Sequence, residues 1–229
     1  MGFKKNILVA SAFALCAFAA PVPARGPDCD LDDSAPAAPP ADAPATEASL
    51  TADNLIAIAP TTASCDGAPF PDECADATAA ATAINKAFDT YKITSKGERA
   101  AIVAYELFES GNFKYKRNHF PEPGRPGQGT RMMAMPPIIE KYATAIAGAD
   151  AVATAKATGV DAVLDLVNSD DEKSFGSAAW YVTTCSAEVR AGLDAATIEG
   201  WHAFLTECVN TDPAAERDTL WTATTPNVQ

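Results

Sequence analysis

The sequence predicts an all-α fold, and three observations support that prediction. Apolar side chains recur at the spacing of a helix face in nearly every segment after residue 72. Helix start signals precede these segments, as where Ser95 and Glu98 match a capping box. No run of alternating apolar and polar residues indicates a strand, so we expect one all-α domain.

The individual helices follow from the same signals, taken in chain order. Ile84 and Phe88 share one stripe of the first helix, whereas the central helix after Ser95 is apolar nearly all the way round. Pro137 begins another helix, because proline is favoured in a first turn, and Gly159 separates the next two. The predicted helices are 76–92, 96–110, from Pro137 onward, 149–158, 160–168, from Ser174 onward, 187–194, 197–209, and a last one capped by Asp212 and Pro213 and ending near Thr222.

The first residues are typical of a secretory signal peptide. Lys4 and Lys5 precede a short apolar run, and Ala17-Phe18-Ala19 matches a small-residue cleavage motif. We therefore predict a signal peptide over 1–19, with cleavage after Ala24 as the alternative, and a secreted, extracellular protein.

The stretch that follows predicts a disordered linker or propeptide over 20–63. It consists mostly of Ala, Pro, Asp and Thr, with almost no large apolar side chain before Leu55. The folded domain would then be 64–229. The net charge of −13 argues against a nucleic-acid partner, and no apolar run is long enough to cross a bilayer. We expect no membrane partner and a monomer.

Secretion makes disulfide bonds the expected state of the cysteines. Cys65 and Cys74 flank a Gly/Pro turn, and Cys185 and Cys208 lie on successive helices, so we predict these two pairs. Cys29 is left over in the linker. Other pairings stay open, because the sequence does not fix disulfide connectivity.

The acid at the end of the central helix is the first candidate for chemistry. Residues 100–108 are almost entirely apolar, and Glu109 follows them just before Gly111, where the helix dipole disfavours a carboxylate. Apolar neighbours and the dipole should both raise the pKa of Glu109. A carboxylic acid that is still protonated near neutral pH is the group with which a glycosidase protonates a leaving oxygen. The alternative is an exposed acid at a helix end.

A second carboxylate is harder to choose. Glu106 lies three residues before Glu109 and either supports the site or pairs with Lys116 or Arg99. Glycosidases normally use two carboxylates. The remaining candidates for the second one are Glu122, Glu140, Asp165, Asp170 and Asp171.

The segment 111–135 predicts a long loop rich in Gly and Pro. Its rings, including Tyr115, His119 and Phe120, offer flat faces on which a sugar can stack. It also concentrates positive charge in an acidic chain, which suggests an anionic polymer as ligand; the alternative is a solvated loop. The cations of this basic loop are Lys114, Lys116, Arg117, Arg125 and Arg131.

Together these features resemble a known family. A helix that ends in Glu109-Ser110, followed by an aromatic loop and a Gly/Gln/Met segment, resembles the lysozyme superfamily, where goose-type lysozymes and soluble lytic transglycosylases place the catalytic acid in such a Glu-Ser pair. The runs FESGNFKYKRNHFPEPGRPGQGTRMMAMP, FGSAAWYVTTC and GWHAFLTECV resemble a family of secreted fungal muramidases. The resemblance covers roughly residues 65–225. Some members of that family carry an SH3-like wall-binding module, which has no counterpart in this sequence.

The resemblance implies a single lysozyme-like helical domain with a long active-site loop. It implies an extracellular muramidase that hydrolyses the β-1,4 bonds of bacterial peptidoglycan, with Glu109 as the general acid. The expected supporting residues are Glu106, Ser110 and Glu122. The expected substrate-binding residues are Tyr115, Lys116, Arg117, Asn118, His119, Gln128, Arg131 and Tyr181.

Other functions remain as alternatives. The two histidines, His119 and His202, form no zinc motif, and no G-x-S-x-G elbow is present, so we expect neither a metal or other cofactor nor a serine hydrolase. A non-catalytic secreted wall-binding or effector protein on the same fold is the main alternative. Within enzymes, the alternative is a chitosanase, whose cationic substrate the basic loop would repel.

Overall fold

The computed structural model describes residues 49–229. The predicted signal peptide, most of the predicted linker and Cys29 lie outside these residues. Over the described range the chain forms an all-α domain with ten α-helices, which confirms the predicted fold class. They are α1 (Ala52–Ile58), α2 (Ala77–Tyr91), α3 (Lys96–Glu109), α4 (Pro136–Ala147), α5 (Ala149–Thr158), α6 (Val160–Asn168), α7 (Asp171–Thr183), α8 (Ala187–Asp194), α9 (Ile198–Ala203) and α10 (Ala215–Thr224).

The central helix α3 lies inside the domain. Its side chains are buried almost without interruption from Gly97 to Leu107, as its uniformly apolar sequence predicts. It packs against α7, α8 and α10, while α2 packs along α7. The close approach of α3 and α8 requires Gly97, since a Cβ there would lie 1.7 Å from the Leu193 carbonyl oxygen. This packing fixes the position of the carboxyl end of α3.

A second apolar cluster joins the three consecutive helices α4, α5 and α6. Ile139 and Tyr142 from α4 pack with Leu164 and Val167 from α6. The Tyr142 hydroxyl donates to the Lys173 carbonyl at 2.7 Å, which links this cluster to α7. The loop 110–135 therefore runs between two packed groups of helices.

The packed part of the chain begins earlier than the sequence predicts. Leu50, Leu55 and Ile58 are buried in the core, and Thr51 caps α1. The side-chain amide of Asn85 also bonds both the amide and the carbonyl of Leu50, at 3.0 and 2.7 Å. Assigning all of 20–63 to a linker was therefore wrong for its last residues. A few apolar residues suffice here because all three pack within the main core cluster.

Most predicted helix boundaries agree with the structure, and three differ. Helix α7 begins at Asp171, with Asp170 as its cap, rather than at Ser174. The predicted helix 197–209 ends its α-helical part at Ala203 and continues as a π-helix over Phe204–Val209. Helix α10 has Ala214 at its N-cap, so Asp212 and Pro213 do not cap it. Each difference lies within a turn or two of a helix end, where competing caps are hard to rank.

Both predicted disulfides are present. Cys65 and Cys74 have a Cα–Cα distance of 5.9 Å and close the loop before α2. Cys185 and Cys208, at 5.4 Å, join the end of α7 to the π-helix. Among the described helices none combines the length and the apolar character that a bilayer crossing requires.

Candidate active site

Glu109 is the last residue of α3 and borders a cavity of about 230 Å³. One wall of the cavity is apolar and the other carries polar groups. The apolar wall includes Met132, Met133, Met135, Ile138 and Val209. The polar groups come from Tyr105, Tyr181, Thr211 and Arg217, and Glu109 is the acid among the lining residues described.

Arg217 from α10 is the immediate partner of Glu109. Its Nη2 lies 2.7 Å from Glu109 Oε1, and its guanidinium carbon lies 4.0 Å from the centre of the Phe108 ring. Both side chains are largely shielded from solvent. Burial raises the pKa of Glu109, while the charge and the hydrogen bond of Arg217 oppose that rise. The predicted direction of the shift is therefore confirmed, but the sequence did not reveal the opposing cation.

The turn after Glu109 is held in an unusual backbone conformation. Gly111, Asn112 and Phe113 all have positive φ angles, of 59°, 57° and 66°. Such angles disfavour bulky residues, and Phe113 is tolerated because its ring is buried against Phe175. The Ser110 hydroxyl donates to the Glu106 carbonyl at 2.6 Å and accepts from the Phe113 amide. Ser110 thus holds the turn that aims Glu109, which fits the supporting role predicted for it.

Two tyrosines complete the polar side of the cavity. The Tyr181 hydroxyl donates to the Cys208 carbonyl at 2.7 Å, and the Tyr105 hydroxyl donates to the Met132 carbonyl at 3.3 Å. Because each hydroxyl has used its proton, its lone pairs are left to accept from a ligand or a water molecule. Tyr181 is the predicted substrate-binding residue that the structure brings to Glu109.

Glu106 lies away from the cavity. Its side chain is fully buried, and neither carboxylate oxygen has a hydrogen-bond partner among the described residues. Burial raises the pKa of Glu106 well above its usual range, and the charge of Arg131 opposes this rise only in part. A pair with Lys116 or Arg99 does not form. Glu106 can support the site only through the packing of α3.

The cations of the basic loop are mostly bound within the fold. Lys114 Nζ donates to the carbonyls of Thr61 and Ser64, at 2.9 and 2.6 Å. Lys116 Nζ donates to the Asn168 carbonyl at 3.3 Å. These two ammonium groups thus bridge separate segments of the domain, which the sequence did not reveal, and the contact of Lys116 with a substrate stays a prediction.

The two arginines predicted to bind substrate are also engaged. Arg117 Nη2 lies 2.6 Å from Asp165 Oδ1. Arg131 is fully buried, donates to the Phe113 and Tyr115 carbonyls at 3.0 and 3.1 Å, and stacks over the Phe175 ring. Direct contact of Arg131 with a substrate is therefore ruled out in this conformation. Its function in the fold is to hold the loop against α7.

The predicted aromatic residues form a separate site, which we call the aromatic groove. His119 stacks on Phe70 with ring centres 3.6 Å apart, and Tyr115 and Phe120 meet nearly edge to face. The groove encloses about 730 Å³ and shares no lining residue with the Glu109 cavity. It is lined by Pro69, Phe70, Tyr115, His119, Phe120, Glu122 and Pro123. Glu122 is thus remote from the Glu109 cavity lining.

Two further predicted residues lie beside these sites. Gln128 Nε2 donates to the Met133 carbonyl at 2.8 Å, so it fixes the backbone of one apolar residue that lines the cavity. Asn118 Oδ1 accepts hydrogen bonds from the backbone amides of Phe120 and Arg125, and these bonds shape the tip of the loop. The other acids proposed as second carboxylate, Glu140, Asp165, Asp170 and Asp171, do not line the Glu109 cavity.

Sequence reasoning missed Arg217 and Glu73. Arg217 is the single cation of an acidic helix, next to Glu216 and Asp218, which is the signal that could have drawn attention to it. Glu73 is buried and accepts from the backbone amides of Lys116 and Arg117 and from His119. Over residues 49–229, no cluster of three or more His, Cys, Asp and Glu side chains could hold a metal ion.

Comparison with known proteins gives one partial relative. No family model matches this chain, and no solved structure does. A bifunctional dioxygenase (DOX)-epoxy alcohol synthase (EAS) from Fusarium oxysporum (strain Fo5176) is 36% identical over 155 residues. The match covers 65% of this chain but 12% of the relative, so the chain corresponds to a small part of that protein's length.

Proposed function

We propose that this protein is a secreted muramidase that hydrolyses the β-1,4 bonds of peptidoglycan in the Glu109 cavity. The observation that supports it most is a single carboxylic acid, its pKa raised by burial, at a cavity with polar groups along one side. A glycosidase needs such a proton donor beside the leaving oxygen. Secretion is part of the proposal, and the two disulfides are compatible with it.

In the proposed reaction Glu109 gives its proton to the glycosidic oxygen as the bond to the anomeric carbon breaks. Arg217, 2.7 Å away, then stabilises the carboxylate that remains. A water molecule, oriented by the lone pairs of Tyr105 and Tyr181, attacks the anomeric carbon. The proton that this water releases restores the acid, directly or through solvent, so that one hydrolysis leaves the enzyme unchanged.

The Glu109→Gln variant tests the proposal, because it keeps the shape of the side chain and removes the transferable proton. We expect the wild-type protein to clear a peptidoglycan suspension and to release fragments with new reducing ends, which mass spectrometry identifies. Glu199→Gln, at an exposed acid outside the cavity, is the matched control. Clearing by Glu109→Gln at the wild-type rate would reject Glu109 as the acid.

A non-catalytic wall-binding protein is the second candidate, and the Glu109–Arg217 ion pair favours it. An ion pair stabilises the ionised acid, which cannot donate a proton, and no second carboxylate lines the cavity. This candidate predicts wild-type binding to peptidoglycan without new reducing ends. Chitosan belongs in the same assay, since the internal bonding of the basic loop weakens the charge argument against a chitosanase.

The Fusarium relative bears on this proposal only in general terms. Its name describes an enzyme, which supports catalysis as a class of function for the shared segment. Its dioxygenase and epoxy alcohol synthase activities belong to a protein of which this chain matches 12%, and no described feature of the Glu109 cavity favours either.

A further inference from the structure

The aromatic groove has the dimensions and the chemistry of a ligand site. Its volume of about 730 Å³ falls in the range of small-molecule pockets. Phe120 is 65% exposed, and Phe70 is 38% exposed although His119 covers one face of its ring. Large exposed aromatic side chains that converge on one groove are unusual on a protein surface and indicate a binding function.

The groove is held in shape by contacts within the protein. Glu73 bonds His119 at 2.9 Å with one carboxylate oxygen and the amides of Lys116 and Arg117 with the other. The Cys65–Cys74 disulfide closes the loop that carries Phe70. A site whose walls are already ordered loses little conformational entropy when it binds, which favours affinity.

The rim of the groove supplies polar groups that the fold leaves unused. The Tyr115 hydroxyl and the Glu122 carboxylate form no hydrogen bond within the described residues. Flat apolar faces surrounded by such groups match a pyranose ring, which has an apolar C–H face and hydroxyls at its edge. The groove therefore suits a sugar better than an apolar helix, which needs a continuous apolar row.

A cation next to the groove narrows the class of glycan. Arg125 lines a shallow depression that shares His119 and Pro123 with the groove. Its guanidinium approaches only the Met135 sulfur, at 4.0 Å, so no described carboxylate neutralises it. In a chain of net charge −13, an unpaired surface arginine beside a sugar-sized groove is complementary to a carboxylate on the ligand.

We propose that the aromatic groove is a second glycan-binding site, separate from the Glu109 cavity, for a strand of linked pyranose rings that bears carboxylates. Phe70 and Phe120 stack on the ring faces, Tyr115 and Glu122 bond the hydroxyls, and Arg125 pairs with a carboxylate. Peptidoglycan has this chemistry, whereas chitin has the rings without the carboxylates. Binding at this site would keep the protein on its polymer between catalytic events.

The experiment measures binding and does not depend on hydrolysis. Every variant carries Glu109→Gln, so that no polymer is cleaved, and is sedimented with purified peptidoglycan or with chitin at low and high salt. Phe120→Ala should weaken binding to both polymers by roughly tenfold, through lost stacking and apolar contact. Arg125→Gln should weaken binding to peptidoglycan alone, and at low salt alone, because salt screens exposed charges.

Ile198→Ala is the matched control, since Ile198 is 37% exposed and lies outside the groove. A melting temperature equal to that of the parent shows that Phe120→Ala is folded. Unchanged polymer binding by Phe120→Ala, or an equal loss of binding in Ile198→Ala, would overturn the proposed site.

The molecular mass in solution tests another occupant of the groove. If sedimentation gives Phe120→Ala a different molecular mass from its parent, a second copy of the chain covers the groove instead. If Arg125→Gln weakens binding to peptidoglycan and to chitin equally, Arg125 does not recognise a carboxylate on the ligand.

The two proposals fail separately. If the wild-type protein releases no reducing ends but Phe120→Ala still loses polymer binding, the proposed hydrolase activity is wrong and the proposed second binding site is supported. If hydrolysis is found and Phe120→Ala binds normally, the second site is wrong and the muramidase stands.

Discussion

Glu106 and Glu109 lie one turn apart near the end of α3, and each faces an arginine from a distant part of the chain. Burial raises the pKa of both acids. Glu109 touches Arg217 at 2.7 Å and borders a cavity, whereas Glu106 is sealed and hydrogen-bonds no described residue. An acid with a raised pKa therefore marks a candidate site only where a ligand can reach it.

The largest contrast should appear in lysis of peptidoglycan. Removing the proton of Glu109 should lower the rate by about 100-fold or more, the usual contribution of general acid catalysis. Glu106→Gln should keep most of the activity, because its side chain has no access to a substrate. Turbidity measurements on both variants test this. An equal loss in the two would mean that Glu106 takes part in the chemistry.

The two arginines should differ in their effect on folding. Arg131→Met leaves the Phe113 and Tyr115 carbonyls without their buried donor, so the free energy of unfolding should fall by about 3 kcal/mol. Arg125→Met, at an exposed arginine of the same loop, should change it by less than about 0.5 kcal/mol. Urea denaturation measures both. Similar values would show that the loop does not depend on Arg131.

The fully buried Glu106 should also make the stability of the fold depend on pH. In the unfolded chain Glu106 loses its proton near its usual pKa of 4.5, while the folded protein retains it to a higher pH. Its contribution to stability is thus complete below pH 4.5 and is lost as pH rises toward the folded pKa. Glu106→Gln should therefore melt progressively higher than wild type as pH rises. A gap that is constant across this window, or that narrows with pH, contradicts the assignment.

The smallest effect should be on the pH profile of the proposed reaction. Arg217 lowers the pKa of Glu109, so Arg217→Met should raise it and keep the acid protonated to higher pH. The alkaline limb of the lysis profile should then move upward in pH. Arg190→Met, which breaks a pair with Glu98, is the control and should leave the limb in place. If the alkaline limb of the lysis profile does not move in Arg217→Met, Arg217 does not affect the protonation of the catalytic acid.

Local signals in the sequence were enough for most of the fold. Caps and apolar spacing gave α2, α3, α5, α6 and α8 to within a residue or so, and the two cysteine pairs were correct. Helix α1 was missed because its few apolar residues lie in an Ala/Pro-rich stretch, and its stability comes from tertiary packing of Leu55 and Ile58 in the core.

The candidate site was predictable only in part, for a related reason. Glu109 was identifiable because a helix end and its apolar neighbours are adjacent in the chain. The hydrogen bond of Lys116 within the fold was not predictable, because the Asn168 carbonyl that it bonds lies 52 positions away. Arg217 was overlooked because its ion pair joins the last helix to the middle of the chain. The position of Arg217 as the single cation of an acidic helix marks it as unusual, but does not name Glu109 as its partner.

The apolar wall of the cavity has a practical consequence. The sequence holds four methionines, and the three beyond Met1 are Met132, Met133 and Met135, all of which line the Glu109 cavity. Protein grown with methionine labelled at its methyl carbon would thus carry its isotope, within residues 49–229, at this cavity alone. The Met132 and Met133 methyl resonances would then report ligand entry at this cavity. The Met135 resonance would also respond to a ligand at Arg125, because the Met135 sulfur lies 4.0 Å from that guanidinium.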